Sequence, residues 1–254
     1  IITPLLVKND EKPIMAKDAF VKTKPVSITG SIFYTVSQAS VRPGEMTNAE
    51  MKAVREFIEK GIAKGYDFKG INVSAYASPD GEMDMNANLA GDRSKSAAAA
   101  MMNLFKEKKT KVEAGTKETF YNKVTTAEDW DGFKAAIEAS TNKTIVRDKD
   151  LILRVLSMYS DVAQREKEIK NISATYTEIS QTIMPKLRRA VLTLNADEKS
   201  RSDEQINKLA ASNPDSLSVE ELLYAASMTN DINAKLTIYK QAEKQYATDW
   251  RCAN

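Results

Sequence analysis

The residues best suited to bind a small charged group lie around a Ser-Pro-Asp-Gly sequence at residues 78–81. This sequence predicts a tight polar turn, because proline fixes φ and glycine permits positive φ. Asn86 and Arg93 follow seven residues apart, a spacing that places both side chains on one face of a helix. Arg93 also shares an apolar stripe with Leu89 and Ala97, where a charged group needs an anionic or strongly hydrogen-bonding partner. The pattern favours capture of a small charged group.

A strand and a helix must position these residues. Ile71, Val73 and Ala75 alternate with polar residues, which is the period of a half-buried strand. From about Asp84 to Lys108 the apolar residues recur at helical spacing. The sequence therefore predicts a strand, a polar turn and a helix whose first two turns point an amide and a guanidinium the same way.

Strands and helices alternate along residues 26–195. A β-branched and aromatic segment at 26–36 predicts the first strand. Weak alternation predicts a third strand or ribbon at 111–124, and a short apolar run predicts the last strand at 187–194. Helical patterns occupy about 126–185. We predict an α/β fold of the α+β sandwich type, with a mixed sheet, helices on one face and a helical insertion before the last strand.

The two ends of the chain differ from this region. Residues 1–25 carry three prolines and are expected to be a linker or the end of a preceding domain. Residues 196–254 are expected to be helical. The segment 196–216 is polar with a turn at Asn213-Pro214-Asp215, and a Ser218-x-x-Glu221 capping box then predicts a C-terminal helical hairpin. Since the chain lacks an initiating Met, we expect a mature form or a fragment.

The composition argues against several classes of protein. The chain has 254 residues and no histidine, which removes the commonest general base and metal ligand. Lys and Arg total 37 against 35 Asp and Glu, without a basic block, and Cys252 is the single cysteine. No nucleophile stands beside a base, and no apolar run approaches the roughly 20 residues of a membrane helix. We predict a protein that is not an enzyme, uses no metal or cofactor, binds no nucleic acid and has no membrane span.

Three motifs together resemble the OmpA-like domain family, periplasmic modules that hold outer-membrane proteins to peptidoglycan. The first is the strand and turn at residues 73–81 followed by Asn-x-x-Leu-Ala-x-x-Arg at 86–93. The second, Arg-Arg-Ala-Val at 188–191, is similar to the start of the family's last strand, and residues 33–42 are similar to its first strand. The motifs occur in family order over residues 26–195. The Ser-Pro-Asp-Gly turn and the extra helices look most like the version found in Bacteroidetes proteins.

The resemblance implies binding of the peptidoglycan stem peptide at its diaminopimelate residue. In the family, an Asp on the loop after the second strand pairs with the ligand's ammonium, and a helix Arg, matched by Arg93, grips its carboxylate. The family Asp falls on Ser78, so either Asp80 replaces it or the loop no longer binds the ammonium. The predicted ligand-binding residues are Ser78, Asp80, Gly81, Asn86, Arg93 and Arg188. The resemblance also implies a periplasmic, outer-membrane-associated protein of a Gram-negative cell envelope.

Other interpretations stay open. The domain is either a binding module or a scaffold that has lost its ligand and contacts proteins through the insertion and the C-terminal helices. That C-terminal hairpin, with Tyr239 and Ala242, resembles the start of a tetratricopeptide array. The alternation of Asp80, Glu82 and Asp84 is also similar to a calcium loop, although the glycine and glutamate that such a loop requires are missing.

Overall fold

The computed structural model describes residues 18–252, and these residues form two compact units. The larger unit comprises residues 25–198, and the smaller unit combines residues 18–24 with residues 199–252. Most of the segment 1–25, predicted as a linker, lies outside the described residues. Its described part, residues 18–24, belongs to the smaller unit.

The elements of the larger unit alternate before a run of helices. In chain order they are β1 (Thr23–Phe33), α1 (Ala49–Lys64), β2 (Asp67–Tyr76), α2 (Met83–Leu104), β3 (Tyr121–Thr126), α3 (Trp130–Glu138), α4 (Lys143–Met158), α5 (Val162–Asn171), α6 (Ser173–Thr182), α7 (Met184–Leu187) and β4 (Arg189–Lys199). Short 3-10 turns lie at Pro43–Thr47, Ala114–Thr116 and Glu118–Phe120.

The four strands form one mixed sheet in the order β1-β4-β2-β3. β2 runs parallel to β3 and antiparallel to β4, so that Ile71 lies opposite both Tyr121 and Leu194. The hydroxyls of Thr29 and Thr193 are 3.1 Å apart, and the Tyr34 N–H donates to the Arg188 carbonyl at 2.8 Å. These two contacts make β1 antiparallel to β4. The predicted mixed sheet is confirmed.

Two long helices cover one face of this sheet. The alternation along β2 buries Ile71, Val73 and Ala75, which pack with inward residues of β4 and with the apolar stripes of α1 and α2. A Cβ on Gly30 would lie 2.8 Å from Cγ2 of Val54, so glycine lets β1 approach α1 closely. The predicted fold class, an α+β sandwich with helices on one face of the sheet, is confirmed.

Helices α3–α7 lie between β3 and β4 in the chain and have a hydrophobic core of their own. Its buried members include Phe133 and Ile137 of α3, Ile152 of α4 and Ile179 of α6. Side-chain caps start three of these helices, at Asp129, Asn142 and Asp161. This segment corresponds to the helical insertion expected at about 126–185.

The predicted third strand at 111–124 is too long. Only Tyr121–Thr126 forms a strand, and 3-10 turns precede it. Gly115 explains the difference, because a Cβ there would overlap the ring of Phe105. The Tyr121 hydroxyl donates to the Gly115 carbonyl at 2.6 Å and holds this turn against the core. The weak apolar alternation before Tyr121 therefore belongs to a turn packed against the core and not to a strand.

The smaller unit contains α8 (Asp203–Ser212), α9 (Val219–Met228) and α10 (Ile232–Gln245). The capping box of Ser218 and Glu221 is present at the start of α9, as predicted. Within the polar segment 196–216, α8 begins with a capping box of Ser202 and Gln205 and buries Ile206. Among the described residues, the helices are too short or too polar to cross a membrane.

Candidate functional site

The six predicted binding residues line one pocket of about 170 Å³. Three segments build it: the turn between β2 and α2, the first three turns of α2, and the residue before β4. A fourth segment, the loop after β1, closes the wall with Val36 and Ser37. Among the predicted residues, the structure brings together Ser78 and Arg188, which are 110 positions apart in the chain. The lining residues that were predicted are Ser78, Asp80, Gly81, Asn86, Arg93 and Arg188.

Arg93 is completely buried and donates hydrogen bonds to three backbone carbonyls. Its Nε reaches the Gln38 carbonyl at 3.0 Å, Nη1 reaches Tyr76 at 2.9 Å and Nη2 reaches Thr35 at 3.3 Å. In the described part of the chain it forms no ion pair with a carboxylate. Burial lowers its pKa to about 10, so the group remains a cation at neutral pH. The pocket wall thus contains a buried positive charge with neutral partners.

The same arginine shapes the loop after β1. Thr35 and Gln38, both bound by Arg93, flank Ser37, which has a positive φ of 54°. Such a backbone conformation is unfavourable for a residue with a side chain and persists only where the surroundings enforce it. Below this loop, Tyr34 lies with its ring 5.2 Å from the Arg93 guanidinium. Arg93 therefore positions the loop that forms one wall of the pocket.

Asp80 takes part in a network with Ser78 and Arg188. Arg188 is buried, and its Nη2 lies 2.7 Å from Oδ2 of Asp80 while its Nε donates to the Ser78 hydroxyl at 3.1 Å. The Ser78 hydroxyl donates to the other oxygen of Asp80. Asp80 keeps 22% of its side chain exposed, against 8% for Arg188. The carboxylate two residues after Ser78 therefore does lie at the pocket, held by an arginine.

Asn86 holds the turn that carries Asp80. Its side-chain amide donates to the carbonyl of Ser78 at 3.2 Å and to that of Gly81 at 3.0 Å. A Cβ on Gly81 would lie 3.3 Å from the Asn86 side-chain oxygen. Asn86 therefore fixes the turn between β2 and α2.

The pocket combines balanced charge with an apolar edge. Arg93 and Arg188 supply two cations, and Asp80 and Glu82 supply two carboxylates. Val36, Met85 and Leu89 form the apolar part of the lining, and the first two are more than half exposed. Such a pocket suits a small zwitterionic group with an aliphatic stem.

Sequence reasoning missed the loop after β1. Thr35 and Gln38 contribute only backbone carbonyls, for which no residue type gives a signal, and Ser37 and Val36 are ordinary loop residues. The second arginine of the 188–191 motif, Arg189, points elsewhere, since it lies 2.9 Å from Asp129 and 4.6 Å from the Tyr76 ring centre.

The acidic alternation after the turn does not assemble into a metal centre. Among residues 18–252, no three His, Cys, Asp or Glu side chains are placed to hold a metal ion together. Asp80 instead binds Arg188, and Glu82 and Asp84 are exposed.

The larger unit thus combines a mixed sheet, two covering helices and a charged pocket at the end of β2. A scan against protein-family models finds no match to the chain, and a search of the curated proteins finds none either. The resemblance to the OmpA-like family therefore rests on the motifs themselves.

Proposed function

We propose that the larger unit is a non-catalytic module that binds the diaminopimelate residue of the peptidoglycan stem peptide in the pocket of about 170 Å³. One observation carries the proposal: Arg93 is a fully buried cation in the pocket wall, and no carboxylate pairs with it among the described residues. With this ligand, the protein would attach an outer-membrane assembly to the cell wall in the periplasm.

The electrostatics support an anionic group next to Arg93. A guanidinium has five N–H donors, of which carbonyls occupy three here. Neutral carbonyls satisfy hydrogen bonds but do not cancel the charge, whereas a carboxylate does both. A guest carboxylate in the pocket would thus relieve a desolvated charge that forms no ion pair with a carboxylate of residues 18–252.

The acidic part of the pocket lining suits an ammonium. Asp80 is partly exposed there, and Glu82 lies beside it on the same turn. The oxygens of Asp80 already accept from Ser78 and Arg188, but a carboxylate has about four acceptor positions. A ligand ammonium can therefore join this network without displacing Arg188.

The decisive experiment compares two tripeptides by calorimetry. The first is L-alanyl-γ-D-glutamyl-meso-diaminopimelate, and the second carries L-lysine in place of diaminopimelate and so lacks one carboxylate. We expect the first peptide to bind at least about tenfold more tightly, the value for one charge-assisted contact. Equal binding of both peptides would contradict the role of Arg93.

A second candidate function is a scaffold that binds proteins. Both oxygens of Asp80 already have partners, so the network is complete without a ligand. In the smaller unit, Ile232 and Leu236 lie one helical turn apart on α10 and are 80% and 50% exposed. Two results together would favour the scaffold. Calorimetry would detect no binding of either tripeptide at millimolar concentration, and Leu236→Asp would abolish co-purification of an envelope protein.

A further inference from the structure

A second depression adjoins the pocket and shares Val36 and Arg188 with it. This groove has a volume of about 520 Å³. Phe33, Tyr34 and Pro185 give it an apolar wall. Because the two depressions share lining residues, they are neighbours on the surface of the larger unit.

The groove has cationic sides. Arg42, Lys186 and Arg188 line it, and no carboxylate is among its lining residues in the described part of the chain. Arg188 is balanced by Asp80, and Arg42 is balanced by Glu45, which also accepts from the Phe33 N–H at 3.0 Å. Lys186 is exposed and forms no ion pair within residues 18–252. The groove therefore carries one positive charge without a partner.

The helical insertion supplies this charge. Pro185 and Lys186 belong to α7, the last turn of the insertion, and Leu187 of the same turn is buried in the core of the insertion. The residue that follows, Arg188, enters the pocket. Lys186 of the groove thus belongs to the insertion and lies two residues before Arg188 of the pocket.

We infer that the groove is a second subsite, which binds a free carboxylate on the residue next to the one held in the pocket. The inference rests on the proposed function and extends it, because it selects among stem peptides by their second charge. The carboxylate of a zwitterionic group in the pocket would match Arg93, and a further carboxylate in the groove would match Lys186. Neither cation forms an ion pair in the described part of the chain. The ligand class is an acidic peptide.

A pair of ligands that differ in this one charge tests the inference. L-alanyl-γ-D-glutamyl-meso-diaminopimelate has a free carboxylate on its glutamate, and its isoglutamine analogue has an amide at the same atom. We expect the full chain to bind the carboxylate form about threefold to fivefold more tightly, the effect of one partly exposed ion pair. In Lys186→Gln this preference should disappear, while the affinity for the amide form stays unchanged.

Lys134→Gln is the matched control, since Lys134 is an exposed lysine of α3 that does not line the groove. It should keep the preference, which excludes an effect of net charge. Equal binding of both peptides by the unmodified chain, or a preference that survives in Lys186→Gln, would overturn the second subsite and leave the proposed function intact. Absence of binding to either peptide would instead reject the proposed function, and the subsite with it.

Discussion

Arg93 and Arg188 line the same pocket, but their charges are compensated differently. Arg188 faces Asp80 at 2.7 Å, whereas the hydrogen bonds of Arg93 go to backbone carbonyls of the loop after β1 and of the end of β2. Removing Arg93 leaves three buried carbonyls without a donor, and it also frees the loop after β1. The stability of the pocket wall should therefore depend on Arg93.

The first prediction concerns this stability. Arg93→Ala should lower the free energy of unfolding by about 2–4 kcal/mol, because three carbonyls lose their donor and a cavity remains. Urea denaturation followed by circular dichroism measures the change. Arg154→Ala, at an exposed position of α4, is the control and should stay within about 0.5 kcal/mol of the unmodified chain. Equal losses in both variants would show that the three hydrogen bonds contribute nothing.

A second prediction at the scale of a residue concerns Asp148 of α4. A hydrogen bond from Arg147, together with a second one from the buried Thr175, lowers the pKa of this carboxyl to about 2. Since the folded pKa lies below the ordinary value of 3.8, the charged form stabilises the fold above about pH 4. That contribution should be lost as the pH falls from about 4 through 2.

Nuclear magnetic resonance titration of the Asp148 carboxyl should give a midpoint near 2. In Asp148→Asn, the loss of stability between pH 4 and pH 2 should be smaller than in the unmodified chain. Asp150→Asn, an exposed change on the same helix, serves as the control. A midpoint near 4 for Asp148 would refute the pairing with Arg147 and Thr175.

At the scale of elements, the sequence was most informative where the spacing of apolar residues changes from that of a strand to that of a helix within one short stretch. The strand β2, the turn at 78–81 and the helix α2 follow from alternating residues, Pro-Gly chemistry and helical spacing within one stretch. The bounds of α8 within the helical region 196–254 did not follow from the sequence, because its only deeply buried residue is Ile206 and its apolar stripe is therefore weak. The third strand was overextended, because Gly115 sits in a turn that depends on the distant ring of Phe105.

The site shows the same limit more sharply. Asp80 and Arg188 are 108 residues apart, and only the assembled sheet brings them together. The six residues of the pocket were accessible through motifs, but the partners of Arg93 were not. Those partners are carbonyls of Thr35, Gln38 and Tyr76, and a carbonyl has no signature in a sequence.

The insertion gives the third prediction. Phe133 is fully buried in the core of α3–α7, and the members of that core are separate from those of the sheet core. Phe133→Ala should lower the free energy of unfolding by about 3–5 kcal/mol, because it leaves a cavity in this core. The loss of hydrogen-exchange protection should be concentrated in residues 130–187. Phe105→Ala, at a buried position of the sheet core, should instead lower protection in the strands. The same exchange pattern in both variants would mean that the two cores open together.

At the scale of the whole molecule, the hydrophobic clusters follow the two units. The sheet and insertion cores belong to residues 25–198, and a third cluster with Leu217, Leu222 and Cys252 belongs to the smaller unit. Cys252 is the single cysteine of the chain and is buried, and burial raises the pKa of its thiol. Reaction of this thiol in urea therefore reports opening of the smaller unit alone.

The fourth prediction uses that reporter to locate ligand binding. The diaminopimelate tripeptide, at a hundredfold excess over its Kd, should stabilise the unit that binds it by about 2.7 kcal/mol. Hydrogen exchange in residues 25–198 should slow accordingly, while the urea midpoint for labelling of Cys252 should not move. Arg251→Ala breaks the ion pairs of Arg251 with Glu220 and Asp249, so it should lower the labelling midpoint without changing the affinity for the peptide. A midpoint for Cys252 that rises with the tripeptide would show instead that ligand binding stabilises both units, and the pocket could no longer be treated as a property of residues 25–198.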